Sequence, residues 1–261
     1  MVLTIDIGNS TTNIGLYGPD GTLVFRSGLA TSRGATRDQC AISLRSVFGL
    51  YGAALDAVTG AIIASVVPSV TADMCGAVEF LTGKKPLLMG PGVKTGLNIK
   101  SDIHTQMGAD IVACSVAAIT KYPSPVIVID MGTAVTMSYL LGNTYEGCVI
   151  MPGIRVAVDA LSERAAELPH ISIEPPASIF GHNTVDAMRA GVVYGNACML
   201  DGMIGRLEAQ AKPAATVVAT GGTAPEILKH CARDIRYDAD LLLDGLYLIY
   251  QKNTELKPRR A

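Results

Sequence analysis

The sequence predicts an α/β protein made of two similar domains. One strand-and-turn pattern occurs in each half of the chain, and each copy is followed by the same order of strands and helices. The second copy is Val126-Ile-Val-Ile-Asp-Met-Gly-Thr-Ala-Val-Thr136, an apolar run followed by an aspartate, a glycine and hydroxyl residues. The first is Val2-Leu-Thr-Ile-Asp-Ile-Gly-Asn-Ser-Thr-Thr12, with the same apolar strand, Asp-x-Gly and hydroxyls. Asp6 and Asp130 lie 124 residues apart (130 minus 6), close to half of the 261-residue chain. Such an internal repeat fixes architecture, because each copy specifies one structural unit.

An apolar run bounded by a turn signal reads as a buried central strand. Asp6 and Asp130 then sit where their strands end, and the glycine two residues on lets the backbone turn sharply and approach a ligand. Thr133 and Thr136 add hydroxyls, and the N–H groups of the turn point into the same space. That arrangement is a phosphate cradle with a carboxylate beside it, where a cation can bridge the two. One copy alone reads equally well as a hairpin with an ordinary turn aspartate. Two copies, one per half, favour the cradle.

Taken in order, strands are expected over 2–8, 12–17 and 22–27, the last two separated by the turn Gly18-Pro-Asp-Gly21. A helix follows near 37–50. Ala61-Ile-Ile-Ala-Ser-Val-Val67 is a buried strand ended by Pro68, and Ser69 is placed to cap a helix over 70–82. Pro86-Leu-Leu-Met89 is a short strand leading into the loop Gly90-Pro-Gly92. Between the halves, Met107-Gly-Ala-Asp-Ile-Val-Ala-Cys-Ser-Val-Ala-Ala-Ile119 is small and apolar enough for a tightly packed helix. The second half repeats the plan with strands at 126–130, 134–140 and 144–150, joined by Gly132 and by the turn Gly142-Asn143. After Pro152-Gly153, helices are expected near 156–166 and 184–211. Thr216-Val-Val-Ala-Thr-Gly-Gly222 is a buried strand running into a diglycine, with a helix over 224–232. A last helix over 239–252 closes the chain.

Three strands, a helix, a strand and more helix, twice over, describe an actin-like pair of ribonuclease H-like domains, expected over 1–115 and 116–261. In such a duplicated design a nucleotide lies in the cleft between the domains. The two glycine hairpins face one another and hold its phosphates, and the diglycine lets the backbone come close to the adenosine. A Gly-x-x-x-x-Gly-Lys-[Ser/Thr] loop is absent, and Gly90-Pro-Gly-Val-Lys-Thr95 has the wrong spacing for one.

Composition narrows the function classes. Hydrophobic residues make up 49% and charged residues 17%, enough for a core in each half. A net charge of −2 argues against a general nucleic-acid-binding surface. The basic tail Lys257-Pro-Arg-Arg260 reads as a solvated end. No apolar run approaches the ~20 residues that span a bilayer. The first six residues lack the basic and long apolar regions of a signal peptide, so a cytoplasmic protein without membrane contact is expected. The six cysteines form no C-x-x-C pair and are expected as reduced thiols, and the four histidines show no His-Glu-x-x-His spacing.

Asp110 stands in the first turn of the helix between the halves. A carboxylate there stabilises the helix dipole by ~0.3–1 kcal/mol. It can equally serve as a general base, taking a proton from an acceptor hydroxyl near nucleotide phosphates. Spacing does not separate the two roles.

With these residues in view, the chain resembles the type III pantothenate kinases over nearly its whole length. Asp6-x-Gly-Asn-Ser10 resembles the family's first phosphate motif and Ser65-Val-Val-Pro-Ser69 its next landmark. Gly108-Ala-Asp110 resembles the substrate and base motif, and Asp130-x-Gly-Thr-Ala-x-Thr136 the second phosphate motif. Gly147-x-x-Ile-x-Pro-Gly153, Gly181-x-Asn-Thr184 and Ala219-Thr-Gly-Gly222 follow in the family's order. The resemblance implies an ATP-dependent kinase that phosphorylates pantothenate to 4′-phosphopantothenate, the first step of coenzyme A biosynthesis. It implies that Asp6, Ile7, Gly8, Asn9, Ser10, Thr11, Thr12, Asn13 and Thr133 hold ATP, with Mg2+ bridging the phosphates with help from Asp6. Asp130 would bind a monovalent cation, K+ or NH4+, and Asp110 would be the proton acceptor. Gly108, Ala109, Asp110, Ile111 and Thr184 would line the pantothenate site, near the interface of a homodimer.

Three positions depart from the family pattern. Ile111 stands where the family usually has arginine, Ser101-Asp-Ile-His104 where it commonly has Tyr-Asp-Asn-Pro, and Cys148 in place of a second glycine. Arginine is the usual bidentate partner of a carboxylate such as that of pantothenate. Two alternatives therefore stand beside pantothenate: a different small alcohol as acceptor, or a non-catalytic nucleotide-binding paralogue.

Overall fold

The structure, a computed structural model, describes residues 1–99 and 107–254; Ser101-Asp-Ile-His104 and the basic tail lie outside the described residues. The first sheet contains β1 (Val2–Ile7), β2 (Thr11–Tyr17), β3 (Leu23–Ala30), β4 (Gly60–Ser65) and β5 (Leu87–Leu88), in the order β3-β2-β1-β4-β5. Strands β1, β2 and β3 are antiparallel neighbours, whereas β4 runs parallel to β1 and β5 parallel to β4.

The second sheet contains β6 (Asn98–Ile99), β7 (Val126–Met131), β8 (Ala134–Leu141), β9 (Thr144–Pro152), β10 (Thr216–Thr220) and β11 (Arg236–Tyr237). Its order is β11-β10-β7-β8-β9-β6. Setting β7 on β1, β8 on β2, β9 on β3, β10 on β4 and β11 on β5 reproduces both the order and the parallel and antiparallel pairings. This is the duplicated ribonuclease H-like, actin-like plan expected from the two Asp-x-Gly strands. Of the described residues, 1–97, 107–117 and 240–254 form one compact unit, and 98–99 with 118–239 form the other.

Strand alternation decides what each aspartate faces. In the first sheet Leu3, Ile5, Ile7, Ala61 and Ile63 pack against α1 (Arg37–Leu50) and α2 (Pro68–Thr82). The opposite face carries Ile62 and Ala64, which pack under α3 (Ala109–Lys121) and under the last helix, Leu241–Thr254. Asp6 alternates with Ile5 and Ile7 and is in register with Ala64, so it belongs to the α3 face. In the second sheet Ile127, Ile129 and Met131 pack against α4 (Ile154–Arg164) and α5 (Thr184–Ala211), which leaves Asp130 on the other face. Between β10 and β11 runs α6 (Ala224–Leu228), so the helix closing the chain is α7.

Most element boundaries follow the sequence pattern, and the exceptions have identifiable causes. Ser69 does not cap α2: that helix begins at Pro68, its N-cap is Val67, and no side chain bonds the cap. Proline fits the first helical position because its missing N–H has no intrahelical partner there. Ser65 Oγ instead accepts from the Val67 N–H at 3.1 Å and from Thr71 Oγ1 at 2.8 Å. Helix α6 stops at Leu228, short of the expected 232, and the Asp201 carboxylate takes up the N–H groups of Ala232 and Arg233. α1 matches its predicted span because Thr36 and Gln39 form a reciprocal capping box.

α7 is held on the first sheet by polar and aromatic contacts at once. The Tyr17 ring stacks on Tyr247 at 4.4 Å with an 11° interplanar angle, and its hydroxyl donates to Asp244 Oδ1 at 2.6 Å. Such a ring pair adds ~0.5–1.5 kcal/mol beyond the area it buries. Among the cysteines, Cys40 and Cys114 are buried, whereas Cys198 is exposed. Burial, followed by Asp201, pushes the Cys231 thiol up to about 11, and burial also raises Cys40 and Cys75. Neutral thiols of this kind are poor nucleophiles. No helix among the described residues is long and apolar enough to cross a membrane.

Candidate active site

The first hairpin is built by the end of β1, the turn and the start of β2. The Gly8 N–H donates to the Thr11 carbonyl at 3.0 Å and closes the turn. This leaves Asn9, Ser10 and Thr11 exposed at the tip, while Ile7 and Thr12 are buried beneath it. Asp6 is only 5% exposed, so its carboxylate needs polar partners. One of them is Asn13, opposite it in register, whose Nδ2 donates to Asp6 Oδ2 at 3.3 Å.

Two residues that the sequence reading passed over hold this tip. Thr31, just past β3, donates its hydroxyl to the Gly8 carbonyl at 2.8 Å and shares a hydrogen bond with Thr12 Oγ1 at 2.9 Å. Its N–H donates to the Ser10 carbonyl at 3.0 Å. Arg33 Nη2 donates to Asn9 Oδ1 at 3.1 Å. The sequence-predicted third strand ended at 27, so Thr31 and Arg33 read as loop; β3 in fact continues to Ala30 and delivers both to the hairpin.

The second hairpin is built on the same plan with a turn one residue shorter, 132–134 between the paired Met131 and Val135 against 8–11 between Ile7 and Thr12. Gly132 N–H donates to the Ala134 carbonyl at 3.0 Å, and Gly132 and Thr133 are exposed. Asp130, half-buried near the end of β7, pairs in register with Thr136 on β8 and with Thr220 on β10. Two glycines bracket this hairpin. Gly153 donates its N–H to the Thr133 carbonyl at 3.1 Å, and a Cβ there would overlap the Thr133 and Gly132 carbonyl oxygens. Gly221 has φ +100°, and its Cβ would lie 2.5 Å from the Met131 carbonyl oxygen. Thr223 Oγ1 donates to that same carbonyl at 3.0 Å. Gly221 therefore serves the packing of the hairpin itself; of the diglycine, Gly222 is the residue whose Cβ position is open.

Gly108, Ala109, Asp110 and Ile111 are half-buried where α3 begins. Asp110 Oδ1 accepts from the Ile111 N–H at 2.8 Å, and a Cβ on Gly108 would overlap that same oxygen. The carboxylate thus lies folded over a residue that has no side chain. α3 packs on the sheet face to which Asp6 belongs, so β1 and α3 set two carboxylates on one side of the first sheet. Thr184 is exposed at the first position of α5, behind the N-cap Asn183, which accepts from the Asp186 N–H at 2.9 Å. It borders a cavity of about 810 Å3 between α4 and α5, with apolar walls including Val158, Leu161 and Met188 and a polar end at His182 and Asn183.

Exposed turn N–H groups and hydroxyls fit phosphate oxygens, and the Asp6 and Asp130 carboxylates are hard oxygen ligands that suit Mg2+ or an alkali cation. Among the described residues no group of three or more His, Cys, Asp or Glu could enclose a metal. A divalent ion here would share its coordination with phosphates and water, the usual habit of Mg2+.

A family profile described as type III pantothenate kinase matches residues 2–206. The type III pantothenate kinase of Halalkalibacterium halodurans is 43% identical over 259 residues, covering 97% of this chain and 100% of that protein. That of Geobacillus thermodenitrificans is 40% identical over 262 residues, covering 98% of this chain and all of the relative. Among solved structures, the activator of the 2-hydroxyisocaproyl-CoA dehydratase from Clostridium difficile, with bound ADPNP, superposes with a TM-score of 0.57 at 14% identity. The match covers 100% of this chain and 99% of that one, and at this identity the likeness is one of fold.

Proposed function

The chain belongs to the type III pantothenate kinase family, a family of phosphotransferases, and on that premise we propose that it moves the γ-phosphoryl group of ATP to the primary hydroxyl of pantothenate. The observation that carries this reading is the repeated sheet, each copy of which ends its central strand on an Asp-x-Gly hairpin. In this reading the first hairpin, from Asp6 to Asn13, and Thr133 of the second bind ATP. Asp110, with Gly108, Ala109, Ile111 and Thr184, receives the acceptor. Asp110 takes the hydroxyl proton as the acceptor oxygen bonds to the γ-phosphorus and the bond to the β–γ bridging oxygen breaks. Phosphoryl transfer asks mainly for positioning and charge neutralisation, so the hairpins carry more of the barrier reduction than the base does. Mg2+ held with help from Asp6, and a monovalent cation at Asp130, supply positive charge to the phosphates. The same reading makes the protein a cytoplasmic homodimer without nucleic-acid or membrane partners. An assay coupled to ADP release, with pantothenate first among a panel of small alcohols, tests it; a protein that releases no ADP when given pantothenate would sink it.

The cation assignment has its own expected result. Activity should depend on K+ or NH4+, because the chain has no P-loop lysine to offset phosphate charge. Equal rates in sodium-only and potassium buffers would remove Asp130 from that role.

A second acceptor is favoured by one observation, Ile111. It is half-buried beside the base, and its backbone N–H is taken by Asp110 Oδ1 rather than open to a substrate carboxylate. A charge-assisted hydrogen bond contributes ~1.5–3 kcal/mol, so losing one weakens binding by about ten- to over a hundredfold. The wild type should therefore show a high KM for pantothenate, and Ile111→Arg a KM lower by about tenfold or more. If Ile111→Arg does not use pantothenate while the wild type phosphorylates an uncharged alcohol, the acceptor is that alcohol.

A further inference from the structure

We infer that Arg33 is a further phosphate ligand of this site, contacting the terminal phosphoryl oxygens of the bound nucleoside triphosphate; this rests on the kinase reading above. Thr31 ties the end of β3 to the hairpin at three points: the Gly8 carbonyl, the Ser10 carbonyl and the Thr12 hydroxyl. Arg33, two residues on, is thereby delivered to the exposed tip, where Nη2 rests on Asn9 Oδ1 at 3.1 Å. Among the described residues Asn9 is the one partner of this guanidinium. A guanidinium carries five N–H donors, so most of them remain available beside a turn whose exposed groups are Asn9, Ser10 and Thr11.

The chemistry of the site calls for such a group. A triphosphate brings several negative charges to a hairpin that already holds the buried Asp6 carboxylate. The hairpin itself, residues 6–13, contains no lysine or arginine. Arginine matches phosphate oxygens bidentately and stays protonated throughout, so it supplies fixed charge without exchanging a proton. Asn9 holds the guanidinium by one edge, a second contact that limits the rotamers it must give up on binding. As a contact to the triphosphate end only, it distinguishes ATP from AMP and does not touch the acceptor.

The test uses full-length Arg33→Gln and Arg33→Lys, with direct binding of ATP, ADP and AMP by calorimetry and steady-state kinetics for both substrates. Glutamine keeps an N–H donor for Asn9 and removes the charge. We expect Arg33→Gln to weaken ATP binding by about ten- to a hundredfold, with AMP affinity, acceptor KM and melting temperature near wild type. Arg33→Lys should recover part of the loss, because the charge returns without the fork. Unchanged ATP affinity in Arg33→Gln overturns the inference and leaves the kinase reading standing. Equal losses for ATP and AMP also overturn it, since that pattern reports a loosened hairpin rather than a phosphate contact. Selective loss of ATP affinity in a protein that phosphorylates no alcohol would uphold Arg33 and refute the kinase reading.

Discussion

Asp110→Asn is expected to lower kcat by about 10²–10⁴ while ATP still binds. The structure makes this substitution a clean one. Asn Oδ1 can keep the hydrogen bond from the Ile111 N–H that Asp110 Oδ1 now accepts at 2.8 Å. Because the position over Gly108 is also kept, the amide should occupy the place of the carboxylate. What disappears is the capacity to take a proton, together with ~0.3–1 kcal/mol of interaction with the dipole of α3. Rapid-quench measurement of the chemical step, beside a melting curve, separates the two losses. A protein that melts slightly lower but turns over at the wild-type rate would assign Asp110 to the helix terminus alone.

The second large effect is expected at Gly153. A methyl group there meets the carbonyl oxygens of Gly132 and Thr133 and comes within 2.6 Å of the Thr133 carbonyl carbon, and backbone cannot swing aside as a side chain can. The hairpin must shift, which overpacking data put at ~1–3 kcal/mol or more. That corresponds to a fall in melting temperature of about 2–12 °C for a chain of this size. Because Thr133 is the proposed ATP contact, Gly153→Ala should also weaken ATP binding by more than about tenfold, roughly one hydrogen bond to a charged group. Gly221→Ala presses on the same turn from the Met131 side, with φ +100° adding backbone strain, so the double variant should lose less than the two single effects together. Gly222→Ala is the control, since its Cβ enters open space and should leave the melting temperature within about 1 °C. Wild-type ATP affinity in a Gly153→Ala protein would show that the second hairpin does not hold nucleotide.

Ile111 and Arg33 lie in different parts of the proposed site. In the proposed reading Ile111 leaves the acceptor side without the family's usual arginine, whereas Arg33 brings a cation to the proposed nucleotide hairpin, two residues beyond a threonine that clasps the turn. Acceptor KM and nucleotide Kd are therefore expected to respond to separate substitutions.

The sequence by itself determined the duplication, the strands that end in Asp6 and Asp130, and the helices over 37–50 and 184–211. These are local matters: an apolar run before Asp-x-Gly is a strand and a turn wherever it stands, and the Thr36–Gln39 box starts a helix from four adjacent residues. It also marked Gly108, Asp110, Gly153 and Gly221 as special, but it gave no packing reason for any of these glycines and assigned Gly221 only an approach to the adenosine. Only the tertiary structure decided that. The reasons for Gly153 and Gly221 are the backbones of residues 131–133, and no spacing rule reports a contact made across 20 or 90 positions. Strand order has the same character: β1 lies between β2 and β4 because hydrogen bonds join residues more than fifty positions apart. The face on which Asp6 emerges follows from that register. α7 shows it most plainly. Its apolar stripe of Leu243, Leu246 and Ile249 announces a helix, yet its place on the first sheet is set by Tyr17, Arg26 and Ile62, residues from the other end of the chain. Periodicity records that a face is apolar, and the partner that covers that face is chosen only when the whole chain packs.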